Sequence, residues 1–144
     1  MVLDLFAGTG ALAFEALSRG AERAVLVERD ARLQKVLKQS ADALGLSGRT
    51  RLIRADVYRH PKRAITGGPF DLVFVDPPYD RVGDLGPVFA VLSEACSEDA
   101  IIVVEQARSD PFDFESDPSL SSTNTYEYGD TLVTFARNHV GNRP

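Results

Sequence analysis

An apolar run broken by one acid and closed by two glycines, Val2-Leu3-Asp4-Leu5-Phe6-Ala7-Gly8-Thr9-Gly10, restricts this chain more than any other stretch. Its first half reads as a strand buried on both faces of a parallel sheet. The Gly-x-Gly that follows permits a sharp turn and a close approach of backbone to a ligand, because glycine tolerates positive φ and has no Cβ. An amphipathic helix from Ala11 to about Arg19 comes next, and its first free amides would point at that ligand. A nucleotide-like cofactor is one reading of the stretch. An ordinary strand-to-helix turn is the other.

The same rhythm repeats along the chain. Ala24-Val25-Leu26-Val27-Glu28 is a second strand, and Leu33, Val36, Leu37, Ala41 and Leu44 keep helical spacing up to a stop at Gly45. Arg51 to Asp56 is a third, more mixed strand, expected near a sheet edge, followed by a short helix or loop at His60-Pro61 and a break at Thr66-Gly67-Gly68-Pro69. Phe70 to Val75 is the fourth strand and runs into Asp76-Pro77-Pro78-Tyr79. A helix marked by Leu85, Val88, Phe89, Leu92 and Cys96 has Pro87 in its first turn, and Ala100 to Glu105 is a fifth strand. Strand–helix alternation of this kind predicts an α/β, doubly wound, Rossmann-like fold with right-handed crossovers.

The end of the chain departs from that pattern. Ser109 to Ser122 is rich in Ser, Asp and Pro and reads as a surface loop. Thr123–Tyr128 and Thr131–Ala136 read as an antiparallel hairpin joined at Gly129-Asp130, where a dinucleotide-binding domain would usually add another strand–helix unit. One catalytic domain over residues 1–140 is expected, with Gly141 to Pro144 as a frayed tail.

Composition narrows the function classes. A single cysteine, Cys96, rules out an intramolecular disulfide and suits a reducing cytoplasm, and it is expected on a buried helix face. No apolar run approaches the roughly 20 residues of a membrane helix, so no membrane partner is expected. The net charge of −5 argues against tight nucleic-acid binding by this chain alone. Arg49, Arg51, Arg54, Arg59, Lys62 and Arg63 nonetheless lie close enough in sequence to form a local basic patch. A monomer is expected, and no metal-binding residues.

Ligands of open α/β sheets bind at the carboxyl ends of strands where the winding reverses. Four features should meet there: the Gly8–Gly10 turn, Glu28, Asp56 and the Asp76–Tyr79 loop. Glu28, about twenty residues past the glycine turn, can accept from both hydroxyls of a ribose, or it can serve only as a cap or a solvated strand end. Asp56 can accept from a purine amino group, with the Val57 amide beside it, or can cap the short helix that follows. Gly8-Thr9-Gly10-Ala11-Leu12-Ala13 also passes as a relaxed dinucleotide fingerprint, so the turn alone does not separate a nicotinamide cofactor from S-adenosylmethionine.

Asp76-Pro77-Pro78-Tyr79 makes that separation, unless the stretch is only a rigid turn with Tyr79 as packing. Two prolines fix φ and remove two amide donors, leaving a stiff loop whose carbonyls are free to accept. The Asp76 carboxylate adds a further acceptor, and Tyr79 offers a face on which a base can stack, worth ~1–3 kcal/mol. Such a cluster suits an exocyclic amine, whose lone pair is delocalised into its ring. Holding both N–H bonds favours pyramidalisation and aims the lone pair at a methyl donor, so orientation and electrostatics supply the catalysis. The proton leaves late, to Asp76 or to water.

These residues resemble the amino-group S-adenosylmethionine-dependent methyltransferases. The fuller wording, Leu3 to Leu12, Glu15-Ala16-Leu17-Ser18-Arg19-Gly20-Ala21, Phe74 to Tyr79 and Tyr128-Gly129-Asp130-Thr131, is similar to the bacterial RsmD family over Val2 to about Ala136. That family methylates a guanine N2 in 16S ribosomal RNA of the small subunit. The resemblance implies a mostly parallel seven-stranded sheet ending in the hairpin. It implies that Gly8 and Gly10 line the methionine part of the cofactor, that Glu28 holds the ribose, and that Asp56 and Val57 meet the adenine. Asp4, Phe6, Ala7 and Arg29 join them as expected cofactor contacts, and Asp76, Pro77, Pro78 and Tyr79 would receive the guanine. Family members carry an N-terminal extension with a basic hairpin ahead of the first motif. This sequence, which opens directly on its first strand, is expected to be a chain trimmed to the catalytic core that binds rRNA poorly.

Two other activities compete. The Asp-Pro-Pro-aromatic loop equally serves adenine N6 or cytosine N4 of DNA or RNA. A nicotinamide oxidoreductase should show an acid/base pair such as Tyr-x-x-x-Lys on a helix, and no helix read here carries one, Pro61 standing between Tyr58 and Lys62; a non-catalytic cofactor-binding or RNA-binding core fragment stays open.

Overall fold

The computed structural model describes residues 1–79 and 84–139. Strands and helices alternate strictly up to Ala95: β1 (Val2–Asp4), α1 (Ala11–Ser18), β2 (Ala24–Val27), α2 (Ala31–Ala43), β3 (Thr50–Ile53), α3 (Pro61–Ala64), β4 (Phe70–Val75) and α4 (Gly86–Ala95). The chain closes with β5 (Cys96–Ala107), β6 (Leu120–Tyr128) and β7 (Thr131–Asn138). The seven strands form one sheet in the order β3-β2-β1-β4-β5-β7-β6, parallel from β3 to β5 and antiparallel for β7 and β6. The mixed composition of the third strand reflects its place at the sheet edge, as expected. The tail at Gly141 to Pro144 lies outside the described residues.

Why the central strands read as continuous apolar runs is visible in the packing. Successive side chains of a strand face opposite sides, and here both sides are covered. Leu3, Val25, Val27, Val73, Val75, Ile102 and Val104 join α3 and α4 in one core, whereas Val2, Ala24 and Leu26 join Phe14, Leu17, Leu37 and Ala41 of α1 and α2 in the other. Among the described residues no helix is long and apolar enough to cross a membrane.

Two expectations need correction. Cys96 is not on a helix face: the backbone turns extended there (φ −99°, ψ 152°), and Cys96 begins β5 opposite Phe70. Burial pushes its thiol up to about 12, with Asp71 adding to the effect, so it is a packing residue and not a nucleophile. The segment from Ser109 to Ser122 is not all surface loop. Phe112 and Phe114 fold back edge-on or tilted against Phe89 of α4, with ring centroids 4.7 and 5.8 Å away, and β6 already starts at the buried Leu120. Two aromatic anchors outweigh a polar composition. The Arg49 guanidinium donates to the carbonyls of Leu17, Ala21 and Glu22, which ties the end of α1 and the approach to β2 to the start of β3.

Candidate active site

The winding reverses between β1 and β4, and the chain leaves both strands at the same edge of the sheet. After β1 the ladder persists through Leu5, whose amide donates to Phe74, and Ala7, whose amide donates to Val27 (3.0 and 2.9 Å). The backbone then turns through Gly8 (φ 56°) and Gly10 (φ 84°), and Gly10 caps α1. A Cβ at Gly8 would have no heavy atom within 4 Å, so the turn presents open backbone.

Glu28 is held by this turn. One carboxylate oxygen accepts from the Gly8 amide at 3.0 Å and the other from the Asp30 amide at 2.9 Å, which locks the first turn to the start of α2. The Gln34 amide donates to the carbonyls of Glu28 and Ile53, fixing the ends of β2 and β3 side by side. Asp56 accepts from the amides of Tyr58 and Arg59 at 3.1 and 3.2 Å and so closes the turn before α3, but it does not cap that helix, whose N-cap position is His60. That turn places the Tyr58 ring 5.4 Å from the Phe6 ring.

A cavity of about 740 Å³ occupies this crevice, within the range of roughly 300–1,000 Å³ common for small-molecule sites. Phe6, Gly8, Glu28, Arg29, Asp56 and Val57 line it from the β1, β2 and β3 side, and Asp76 to Tyr79 from the β4 side. The four features expected to converge therefore do so. Asp4, Ala7 and Gly10 are buried and are not among the lining residues. Gly10 is needed for packing, since a Cβ there would lie 2.4 Å from the Phe14 ring. Sequence reasoning missed Tyr58 and Glu105, which also line the cavity. Glu105 was findable, since it is an acid at the carboxyl end of the fifth strand, as Glu28 and Asp76 follow the second and fourth.

Two carboxyl groups at this end of the sheet hold their protons more tightly than usual. Burial, and then the neighbouring Glu105, push the Asp76 carboxyl up to about 6. Asp4 is 1% exposed and one of its oxygens has no hydrogen-bond partner. Burial, and then Asp76, push it up to about 7, against hydrogen bonds from the Phe6 and Ala13 backbone, with Glu28 adding to the rise. An acid that holds its proton more tightly folded than unfolded makes the fold lose stability as pH rises between its two values. For Asp4 that window runs from 3.8 to about 7. Urea unfolding should therefore show wild type falling behind Asp4→Asn across this window, by on the order of a few kcal/mol. Parallel pH profiles would refute the buried-carboxyl assignment.

The site suits a nucleoside-bearing cation: open glycine backbone, acids at two strand ends, a concentration of carboxyl groups, and a loop whose two prolines cannot donate. A second cavity of about 680 Å³ adjoins the first, and Tyr58, Pro77, Pro78 and Tyr79 line both.

Known proteins share this fold. The family model described as Conserved hypothetical protein 95 matches residues 1–137. Ribosomal RNA small subunit methyltransferase D of Escherichia coli strain K12 is 37% identical over 105 residues, 72% of this chain and 51% of that protein. The chain thus spans about half the length of that curated relative. The methylase RP545 of Rickettsia prowazekii, described as uncharacterized, is 26% identical over 96% of this chain and 77% of its own length. A solved structure of a conserved hypothetical protein from Streptococcus pyogenes superposes with a TM-score of 0.83 at 31% identity, covering 99% of this chain and 88% of that one. The chain belongs to the family described as Conserved hypothetical protein 95, the RsmD-type methyltransferases.

Proposed function

We propose that this chain, acting as a monomer, transfers a methyl group from S-adenosylmethionine to the exocyclic N2 amine of a guanine in 16S ribosomal RNA of the small subunit. The observation that carries the reading is one cavity walled by the open Gly8 turn on one side and by Asp76-Pro77-Pro78-Tyr79 on the other. S-adenosylmethionine supplies an electrophilic methyl group on a sulfonium. Glu28 keeps lone pairs beyond those used on Gly8 and Asp30 with which to meet ribose hydroxyls. Asp56 and the Val57 amide would meet the adenine edge, which their place in the lining of the same cavity as Phe6 and Arg29 supports.

On the acceptor side, Asp76 and the carbonyls of its loop accept from the amine N–H bonds and aim the nitrogen lone pair across the cavity. Pro77 and Pro78 hold those acceptors rigidly, and Tyr79 supplies the stacking face. The raised carboxyl of Asp76 makes it a better proton acceptor once the nitrogen has gained its methyl group. Asp76, Pro77, Pro78 and Tyr79 are the catalytic group on this reading.

The test is a nucleoside digest, read by mass spectrometry, of 30S particles and bare 16S rRNA incubated with the chain and isotopically labelled donor. N2-methylguanosine is the expected product. 6-Methyladenosine or 4-methylcytidine would replace guanine as the acceptor, and no labelled nucleoside at all would refute transfer by this chain.

A further inference from the structure

Tyr79 stands at the border of the two cavities on an exposed stretch of chain, with 58% of its surface open. A ring so placed would ordinarily turn freely about two soft torsions. Here its hydroxyl lies 3.0 Å from the Thr131 hydroxyl and 3.4 Å from a Glu105 carboxylate oxygen. A phenol has one proton and accepts as well as donates. With that proton directed to the carboxylate, Thr131 donates to the phenol oxygen, and the shorter contact is the one to Thr131.

Thr131 is itself firmly placed. It begins β7, opposite Tyr128 in the hairpin and opposite Ala107 of β5. The preceding turn passes through Gly129 at φ 60°, and the Arg108 amide fastens it by donating to the Asp130 carbonyl at 2.8 Å. Three strands thus carry one hydroxyl to the Tyr79 ring, across 52 residues of sequence. This also gives a purpose to Tyr128-Gly129-Asp130-Thr131, which the chemistry of transfer leaves unexplained.

We infer that Thr131 is a positioning residue: its hydroxyl, together with Glu105, sets the Tyr79 ring as a standing wall for the acceptor base before that base arrives. The inference rests on the proposed transfer reaction for its consequence, although not for its geometry. A wall fixed in advance spares the acceptor complex the entropy of ordering that ring. The effect therefore belongs to the acceptor and not to the cofactor.

Thr131→Val keeps the shape and removes the hydroxyl, whereas Thr131→Ser keeps the hydroxyl. In Thr131→Val, kcat/KM for the RNA acceptor should fall roughly three- to tenfold, the value of one hydrogen bond. The Kd for S-adenosylhomocysteine should stay within about twofold, a change too small to signal a lost contact. Thr131→Ser should restore transfer, and Tyr79→Phe should match Thr131→Val without adding to it in the double variant. A readout free of turnover is the order of the Tyr79 ring, followed by relaxation of carbon-13-labelled tyrosine and assigned by the signal lost in Tyr79→Phe. The ring should be ordered in wild type and Thr131→Ser and mobile in Thr131→Val. Wild-type transfer by Thr131→Val, a ring that stays ordered in it, or an equal loss in Thr131→Ser overturns the inference. Should wild type itself transfer no methyl group, the proposed reaction fails, and ring order alone still decides the role of Thr131.

Discussion

Replacing Asp76 by alanine should lower the rate of methyl transfer by about 10²–10³-fold, the usual cost of losing a preorganised electrostatic partner. Asp76 follows the last residue of β4 and is half-buried, so its carboxyl is aimed by the strand before it and the prolines after it. With alanine there, an amine in the crevice keeps only carbonyl acceptors, and the carboxyl that burial and Glu105 have made more basic is gone. Asp76 lines the cavity without belonging to the Gly8 and Glu28 side of it, so affinity for S-adenosylhomocysteine should stay within about tenfold. Single-turnover rates at saturating donor, paired with calorimetric titration, measure the two effects separately. Transfer within threefold of wild type would remove Asp76 from the reaction.

The second large effect concerns the fold. Gly10→Val should destabilise the protein by about 2–5 kcal/mol, adding left-handed backbone strain to overpacking. Gly10 sits at φ 84°, and a Cβ there would stand 2.4 Å from the Phe14 ring and 2.7 Å from Leu37. Phe14 and Leu37 are buried in the core shared by α1 and α2, with no solvent to move into. Gly8 is the internal control, because at φ 56° its Cβ would meet nothing within 4 Å. Gly8→Val should keep most of the stability and instead fill the space against which the cofactor would lie. Chemical unfolding of both variants checks the pair, and equal losses would show that strain alone, and not the Phe14 contact, governs the turn.

What the sequence disclosed and what it hid follow from the range of the forces involved. The glycine turn, the stiff Asp76–Tyr79 loop and the doubly covered strands are written in neighbouring residues. β3 could be read as an edge strand because Arg51 and Arg54 interrupt its apolar pattern. Cys96 was misplaced because helix and buried strand both accept an apolar residue there, and its pairing with Phe70 decides between them. Phe112 and Phe114 were lost in a polar stretch because their partner, Phe89, lies more than twenty residues away in the chain. Asp4 reads as a ligand contact from its place in the motif, whereas its burial and its absence from the cavity lining depend on how the sheet packs around it. The bond between Tyr79 and Thr131 had no local signature at all, since it depends on where β7 inserts.

That insertion has a consequence for how the molecule is made. β6 leaves the ribosome before β7 but finds its place in the sheet only through β7, which lies between it and β5. The five parallel strands can assemble as they emerge, each joining strands already synthesised. β6 must wait as an unpaired ribbon until about residue 138 has followed it. During that interval the exposed edge of β5 is open to rival strands, and a nascent chain stalled there would be more prone to sticking to its neighbours than one stalled earlier or later.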